Sequence, residues 1–183
     1  MSRAMFFGRF QPFHRGHLEV TKLILEKYDE IVFAIGMSTE SHTPRNPFTA
    51  GERIEMIRRA LKSERYSLSR VITVTVPTME VHISSVHSVI YMCPRVDAVY
   101  IGNPIVARAF IESGAKVVIP RPIKREKYNG TLIRSLMAKG DPGWRELVPE
   151  AVAEYLEEIN ACERLRWILC PSEEHTLKDM RVY

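Results

Sequence analysis

The sequence predicts a doubly wound α/β fold, a parallel sheet covered by helices on both faces. Three observations predict it. Five short runs rich in Val, Ile and aromatics recur, at Ala4–Gly8, Ile31–Gly36, Val71–Val76, Ala98–Gly102 and Lys116–Ile119. Each is apolar nearly throughout instead of alternating, which is the pattern of strands buried on both faces. Helical patterns lie between them, and strands alternating with helices of ten to fifteen residues build right-handed βαβ units. Finally, 183 residues suit one compact domain, a size that buries roughly 70% of the unfolded surface without disulfides or metals as staples.

Taken in order, the first strand, Ala4–Gly8, runs directly into a Gly- and His-rich segment. Leu18–Lys27 then repeats apolar residues at three- and four-residue spacing, as an amphipathic helix does. After the second strand, Thr49 with Glu52 three residues on forms a capping box, and Ile54, Ile57 and Leu61 give the helix behind it an apolar stripe. The third, fourth and fifth runs follow with helical segments between. Residues 1–148 make the α/β body. After Pro149, Ala151–Ile159 reads as a helix and the remainder as a less regular tail, so 149–183 forms a C-terminal helical extension of the same domain.

Composition excludes several classes. Hydrophobic residues at 45% and charged residues at 26% are globular proportions, against a disordered chain or a coiled coil. No apolar run approaches the ~18 residues that cross a bilayer, and the first eight residues lack a signal-peptide pattern; the expectation is a cytoplasmic protein that binds no membrane. Three cysteines, Cys93, Cys162 and Cys170, are too scattered for a disulfide framework or a zinc knuckle. The net charge of +4 suits nucleic acid and small phosphorylated substrates equally. No basic stripe interleaved with aromatics appears, so nucleic acid is not an expected partner.

The strongest motif is Gly8-Arg9-Phe10-Gln11-Pro12-Phe13-His14-Arg15-Gly16-His17. It sits at a strand–loop–helix junction on the carboxyl edge of the predicted sheet, where open α/β folds bind ligands. Gly8 admits close backbone approach, and Pro12 stiffens the turn. His14 and His17, three apart at a helix start, project on one face. The helix N-terminus attracts anions, and Gly16 leaves room for a phosphate there. Both imidazoles can donate hydrogen bonds and, protonated, supply charge near neutral pH.

The second motif is Tyr128-Asn129-Gly130-Thr131-Leu132-Ile133-Arg134. Asn129 or Thr131 can cap the following helix, and Gly130 opens its first N–H groups. The Thr131 hydroxyl and the Arg134 fork make an anion cradle suited to the β- and γ-phosphates of a nucleoside triphosphate. Arg121, Lys124, Arg125 and Lys127 precede it, either as a solvated loop or as a lure for phosphates.

The first motif resembles the HxGH signature of the nucleotidyltransferase superfamily, and the second resembles its ISSTxxR-type signature with Asn-Gly-Thr in place of Ser-Ser-Thr. Ser41–Arg53 is similar to the loop and helix start of archaeal-type nicotinamide mononucleotide (NMN) adenylyltransferases, as Tyr100–Pro104 is to their loop after the fourth strand. The similarity runs from about Met5 to Glu163. It implies a Rossmann-like fold of nucleotidyltransferase type and adenylyl transfer from ATP to NMN, giving NAD and pyrophosphate. On that resemblance His14, His17 and Arg134 are catalytic. Gly8, Arg9, Phe10, Gly102, Asn103, Asn129, Gly130 and Thr131 line the ATP site with them, and Arg45 reaches a phosphate of one of the substrates. Mg2+ arrives bound to ATP, with no dedicated metal site in the protein, and the expected assembly is a homo-oligomer. The chain departs from the family after the third strand, where an Asn and a Trp usually hold the nicotinamide ring. Here Val76–His87 has no Trp, and Trp144 and Trp167 lie elsewhere. Val81, His82 and His87 are the acceptor-side candidates. The departure keeps two alternatives: adenylyl or cytidylyl transfer to another phosphorylated acceptor such as phosphopantetheine, or a nucleotide-sensing module without turnover.

Overall fold

A computed structural model describes residues 1–78, 83–121 and 126–169. Its five strands are β1 (Arg3–Gly8), β2 (Glu30–Ile35), β3 (Val71–Thr75), β4 (Ala98–Ile101) and β5 (Val117–Val118). They form one sheet in the order β3-β2-β1-β4-β5, every pairing parallel. All five apolar runs are therefore strands of the predicted sheet. The fifth shrinks to two residues at one edge of the sheet.

Side-chain alternation along the central strands divides the apolar residues into two cores. Ala4 and Phe6 of β1, with Ile31, Phe33 and Ile35 of β2, face one layer of helices. That layer contains α1 (Arg15–Lys27), α2 (Ala50–Ser63), α5 (Gly130–Lys139), α6 (Glu150–Glu158) and α7 (Ala161–Leu169). Met5 of β1, with Val32 and Ala34 of β2, faces α3 (Ile83–Met92) and α4 (Pro104–Glu112). Both faces are covered, which explains why the strands lack a polar side. Up to Leu169, the described part of the extension after Pro149 comprises two helices, and Val152, Leu156, Ala161 and Leu165 from them lie in the same core as α1 and α2. Among the described residues no helix is long and apolar enough to cross a membrane.

The chain order reverses between β1 and β4. Strands β2 and β3 lie to one side of β1, and β4 and β5 to the other. Crossovers therefore depart in opposite directions from the carboxyl ends of β1 and β4, opening a crevice there. Gly8 closes β1, and Gly102 follows β4, so this topology sets the two motif glycines at the mouth of that crevice.

The predicted capping box at the start of α2 is present. The Thr49 hydroxyl accepts from the Glu52 N–H at 3.2 Å, and the Glu52 carboxylate accepts from the Thr49 N–H at 2.8 Å. Thr49→Ala leaves a helix-end donor without its partner and is expected to lower stability by about 1 kcal/mol, read as a shift of the urea midpoint at unchanged slope.

Candidate active site

The two histidines cap their own helix. His14 is the N-cap of α1, and its Nδ1 accepts from the His17 N–H at 3.3 Å, while His17 Nδ1 accepts from the His14 N–H at 3.3 Å. This is a capping box built from two imidazoles instead of a hydroxyl and a carboxylate. The rings stack with centroids 3.6 Å apart and planes 18° from parallel. Phe10 and Phe13 close around His17 at 4.9 and 5.5 Å between centroids. An Nδ1 that accepts a hydrogen bond carries no proton, so the reciprocal bonds assign the single proton of each neutral ring to Nε2. Each ring thus offers one N–H donor.

The expectation of imidazolium charge is corrected by the packing. Burial drives the His14 pKa down to about 3, and burial followed by the neighbouring His14 drives His17 well below its ordinary value. Both are neutral at physiological pH. Two expectations about glycines change as well. A side chain at Gly16 would meet the His14 ring and Tyr128 Cβ at 3.1 Å, so the space assigned to a phosphate is filled by protein. A side chain at Gly8 would meet the Phe10 ring at 3.1 Å; the missing Cβ there makes room for that ring.

Positive charge comes from arginines instead. Arg134 is buried, donating through Nε to the Pro44 carbonyl at 3.0 Å, through Nη1 to the Gln11 carbonyl at 2.8 Å and through Nη2 to the Thr131 hydroxyl at 3.3 Å. It therefore bolts the first motif, the 41–49 loop and α5 together, with part of its fork already used. Burial, then the nearby Arg9 and Arg45, lowers its pKa to about 10. Arg9 donates to Asn46 Oδ1 at 3.4 Å. Asn129 is the residue that caps α5, its Oδ1 accepting from the Leu132 N–H at 2.8 Å. Gly130 allows the two motifs to meet, because a Cβ there would lie 2.7 Å from the Gln11 carbonyl oxygen and 2.9 Å from Arg134 Nη1.

The remaining candidates lie on other elements. Gly102 and Asn103 are exposed beyond β4, and Asn103 Oδ1 caps α4 by accepting from the Ile105 N–H at 3.0 Å. His87 is exposed on α3, across the sheet from the histidine pair. Val81, His82, Lys124, Arg125 and Cys170 lie outside the described residues. Cys93 is a buried thiol, and Cys162 is also free.

Two residues that hold the site were given no role by the sequence. Gln11 clamps the two loops, its side chain donating to the Phe48 carbonyl at 2.8 Å and accepting from the Phe48 N–H at 2.9 Å. Arg53 has no exposed surface, and it donates to the carbonyls of Thr49, Arg9, Gly36 and Met37 at 2.8–3.1 Å. Phe10 and Met37, beyond the ends of β1 and β2, hold φ of 54° and 52°, a left-handed backbone that costs non-glycine residues energy. Arg53 holds the carbonyl just before Phe10 and that of Met37 itself. A signal for it was available: Arg53 lies four residues before Ile57 and eight before Leu61, on the buried stripe of its helix.

Two outcomes follow from this geometry. Gly130→Ala forces its methyl against the Gln11 carbonyl and Arg134. It is expected to cut turnover on the order of 10²-fold, the scale of a 1 Å misplacement, with a native circular dichroism spectrum. Stability has a pH slope with a definite sign. Below about 6.5 the unfolded state binds protons that His14 and His17, desolvated by their surroundings, refuse, so unfolding becomes easier as pH falls toward 4. His14→Asn, which keeps a capping acceptor, should flatten that slope in urea titrations between pH 6.5 and 4.

A family model described as cytidylyltransferase-like matches residues 5–136. Over 164 residues the chain is 52% identical to an uncharacterized protein of Archaeoglobus fulgidus, covering 90% of this chain and 94% of that one. Over 169 residues it is 48% identical to the nicotinamide-nucleotide adenylyltransferase of Saccharolobus solfataricus, covering 92% and 98% respectively. A crystal structure of a bifunctional NMN adenylyltransferase/ADP ribose pyrophosphatase from Francisella tularensis superposes with a TM-score of 0.69 at 19% identity, covering 85% of this chain and 50% of that chain. That likeness bears on the fold, and the sequence relatives bear on the family. With relatives at this identity over nearly their whole length, the chain belongs to the cytidylyltransferase-like family, in the group of archaeal nicotinamide-nucleotide adenylyltransferases.

Proposed function

We propose that this protein transfers the adenylyl group of ATP to nicotinamide mononucleotide, forming NAD and releasing pyrophosphate. The observation that carries this reading is that Arg134, with Arg9 and Arg45 near enough to lower its pKa, bonds to Gln11 in the same segment after β1 that carries the stacked imidazoles. Such a site offers directed N–H donors beside concentrated positive charge, which is what a triphosphate requires.

The chemistry fits neutral histidines. An oxygen of the acceptor's 5′-phosphate is anionic at neutral pH and attacks the α-phosphorus of ATP. One P–O bond forms, and the bond from the α-phosphorus to the bridging oxygen breaks as pyrophosphate leaves. No proton needs removal, so the site calls for donors and cations and not for a general base. His14 and His17 donate Nε2–H groups to the ATP phosphates, with His17 nearest the α-phosphate. Arg134, Thr131, Asn129 and the Gly130 N–H serve the β- and γ-phosphates. Arg45 meets a phosphate of one of the substrates, and Gly102 and Asn103 line the adenosine side. Gly8, Arg9 and Phe10 form the wall between them. Val81, His82 and His87 remain the proposed acceptor-side residues. Mg2+ enters as part of the nucleotide substrate.

Pyrophosphate release with ATP and NMN is the direct test, with phosphopantetheine and CTP run in parallel as substitutes. His17→Ala is expected to lower turnover by on the order of 10²–10³, the cost of one preorganised donor. Near-native turnover in that variant, or faster release with a substitute substrate, would refute the assignment.

A further inference from the structure

The C-terminal helix α7 lies beyond residues 5–136, the span the family model matches, yet one of its side chains reaches the loop that carries Arg45. Arg164 grips the Glu52 carboxylate with both arms, Nη1 to Oε2 at 2.8 Å and Nη2 to Oε1 at 2.7 Å, and Nη1 also donates to the Pro47 carbonyl at 3.3 Å. Its guanidinium lies 6.0 Å from the Phe48 ring centroid. Both partners are mostly sheltered, with side-chain exposures of 21% and 15%. A bidentate pair so placed is directional, unlike a solvated surface contact.

The loop from Pro44 to Thr49 is restrained at successive residues, and these restraints lead into the site. The Pro44 carbonyl accepts from Arg134. Asn46 accepts from Arg9 and donates to Glu40. The Pro47 carbonyl accepts from Arg164, Phe48 is clamped by Gln11, and the Thr49 N–H is held by Glu52. Of these partners, Arg164 alone comes from the C-terminal extension. Glu52 links it to the rest, because the same carboxylate caps α2 and receives the fork. Burial opposes the charge on Glu52, but the Arg164 fork and the Thr49 N–H outweigh it and hold the carboxyl below its ordinary range.

We propose that Arg164 is a positioning residue for the phosphate site: through Glu52 and Pro47 it fixes the 44–49 loop so that Arg45 and the Pro44 carbonyl stand in register with Arg134. The proposal rests on the adenylyl-transfer reading for its kinetic consequence, and on the loop geometry alone for its structural one.

The test uses the full-length protein carrying Arg164→Met, Arg164→Lys, Glu52→Gln and the Met/Gln double change, assayed well below each variant's melting temperature. Arg164→Met is expected to raise the KM for ATP or NMN by about tenfold while kcat stays within about twofold. Arg164→Lys, with charge but no fork, should recover part of that loss. Glu52→Gln should reproduce the effect, and the double variant should be no worse than the more affected single one, as coupled partners behave. Hydrogen exchange of the 41–49 amides should accelerate in Arg164→Met with β1 and β2 unchanged. A lower melting temperature with both KM values within twofold and unaltered exchange at 41–49 would overturn the proposal, as would fully multiplicative effects of the two changes. Should Arg164→Met fail to fold, Glu52→Gln carries the same measurements. Absence of turnover in the unaltered protein would overturn the adenylyl-transfer reading instead, while accelerated exchange at 41–49 would still support the loop clamp.

Discussion

The site depends on a buried guanidinium that has no surface of its own. Arg53 spends its planar fork on four main-chain carbonyls, two of them at the turn after β2, one after β1 and one at the start of its own helix. A lysine ammonium, a point donor, does not match that spread of acceptors. The turns it holds place Phe10 and Met37 in a backbone conformation they would otherwise leave. Phe10 in turn packs against His17, and the Arg9 carbonyl is fixed beside a side chain that reaches Asn46. One buried cation thus defines the crevice that the reversal of strand order opens.

Charge and hydrogen-bond donation are supplied by different residues. The imidazoles, walled in by aromatic rings, are held neutral by desolvation, and they offer direction without charge. The arginines resist deprotonation even when buried, so they keep the charge. Arg9 and Arg45 lie near enough to Arg134 to lower its pKa, so the fold carries a repulsion between these cations. Arg9 and Arg134 also bond to neighbouring loops, so positive charge and mechanical integrity rest on shared side chains.

Much of this was legible in the sequence because the signals are local. The strand runs at Ile31 and Ala98, the Thr49–Glu52 cap and the order of the two motifs depend on neighbours within a few residues. What stayed hidden depends on distance along the chain. The Gln11–Phe48 clamp joins residues 37 positions apart, and Arg134 reaches Gln11 across 123. Gly16 looked like room for a ligand because the Tyr128 that fills it lies far away in sequence. The neutrality of the histidines depends instead on packing within the motif itself, where Phe10 and Phe13 close around His17. A residue type suggests a pKa, but the phenylalanines that desolvate it are known only once the chain has folded. Arg53 is the intermediate case, since its place on the apolar stripe was visible and its four acceptors were not.

The histidine capping box has a consequence for coordination chemistry. Two histidines three apart on a helix ordinarily suggest a site for a transition metal. Here each Nδ1 lone pair is occupied by a backbone N–H, and each Nε2 carries the remaining proton. Neither ring retains an open lone pair for an ion. To bind zinc or copper, the pair would have to uncap α1 or lose an Nε2 proton. The bonds that begin the helix therefore present both imidazoles as Nε2–H donors, and any ion that took an Nδ1 would have to displace a helix cap.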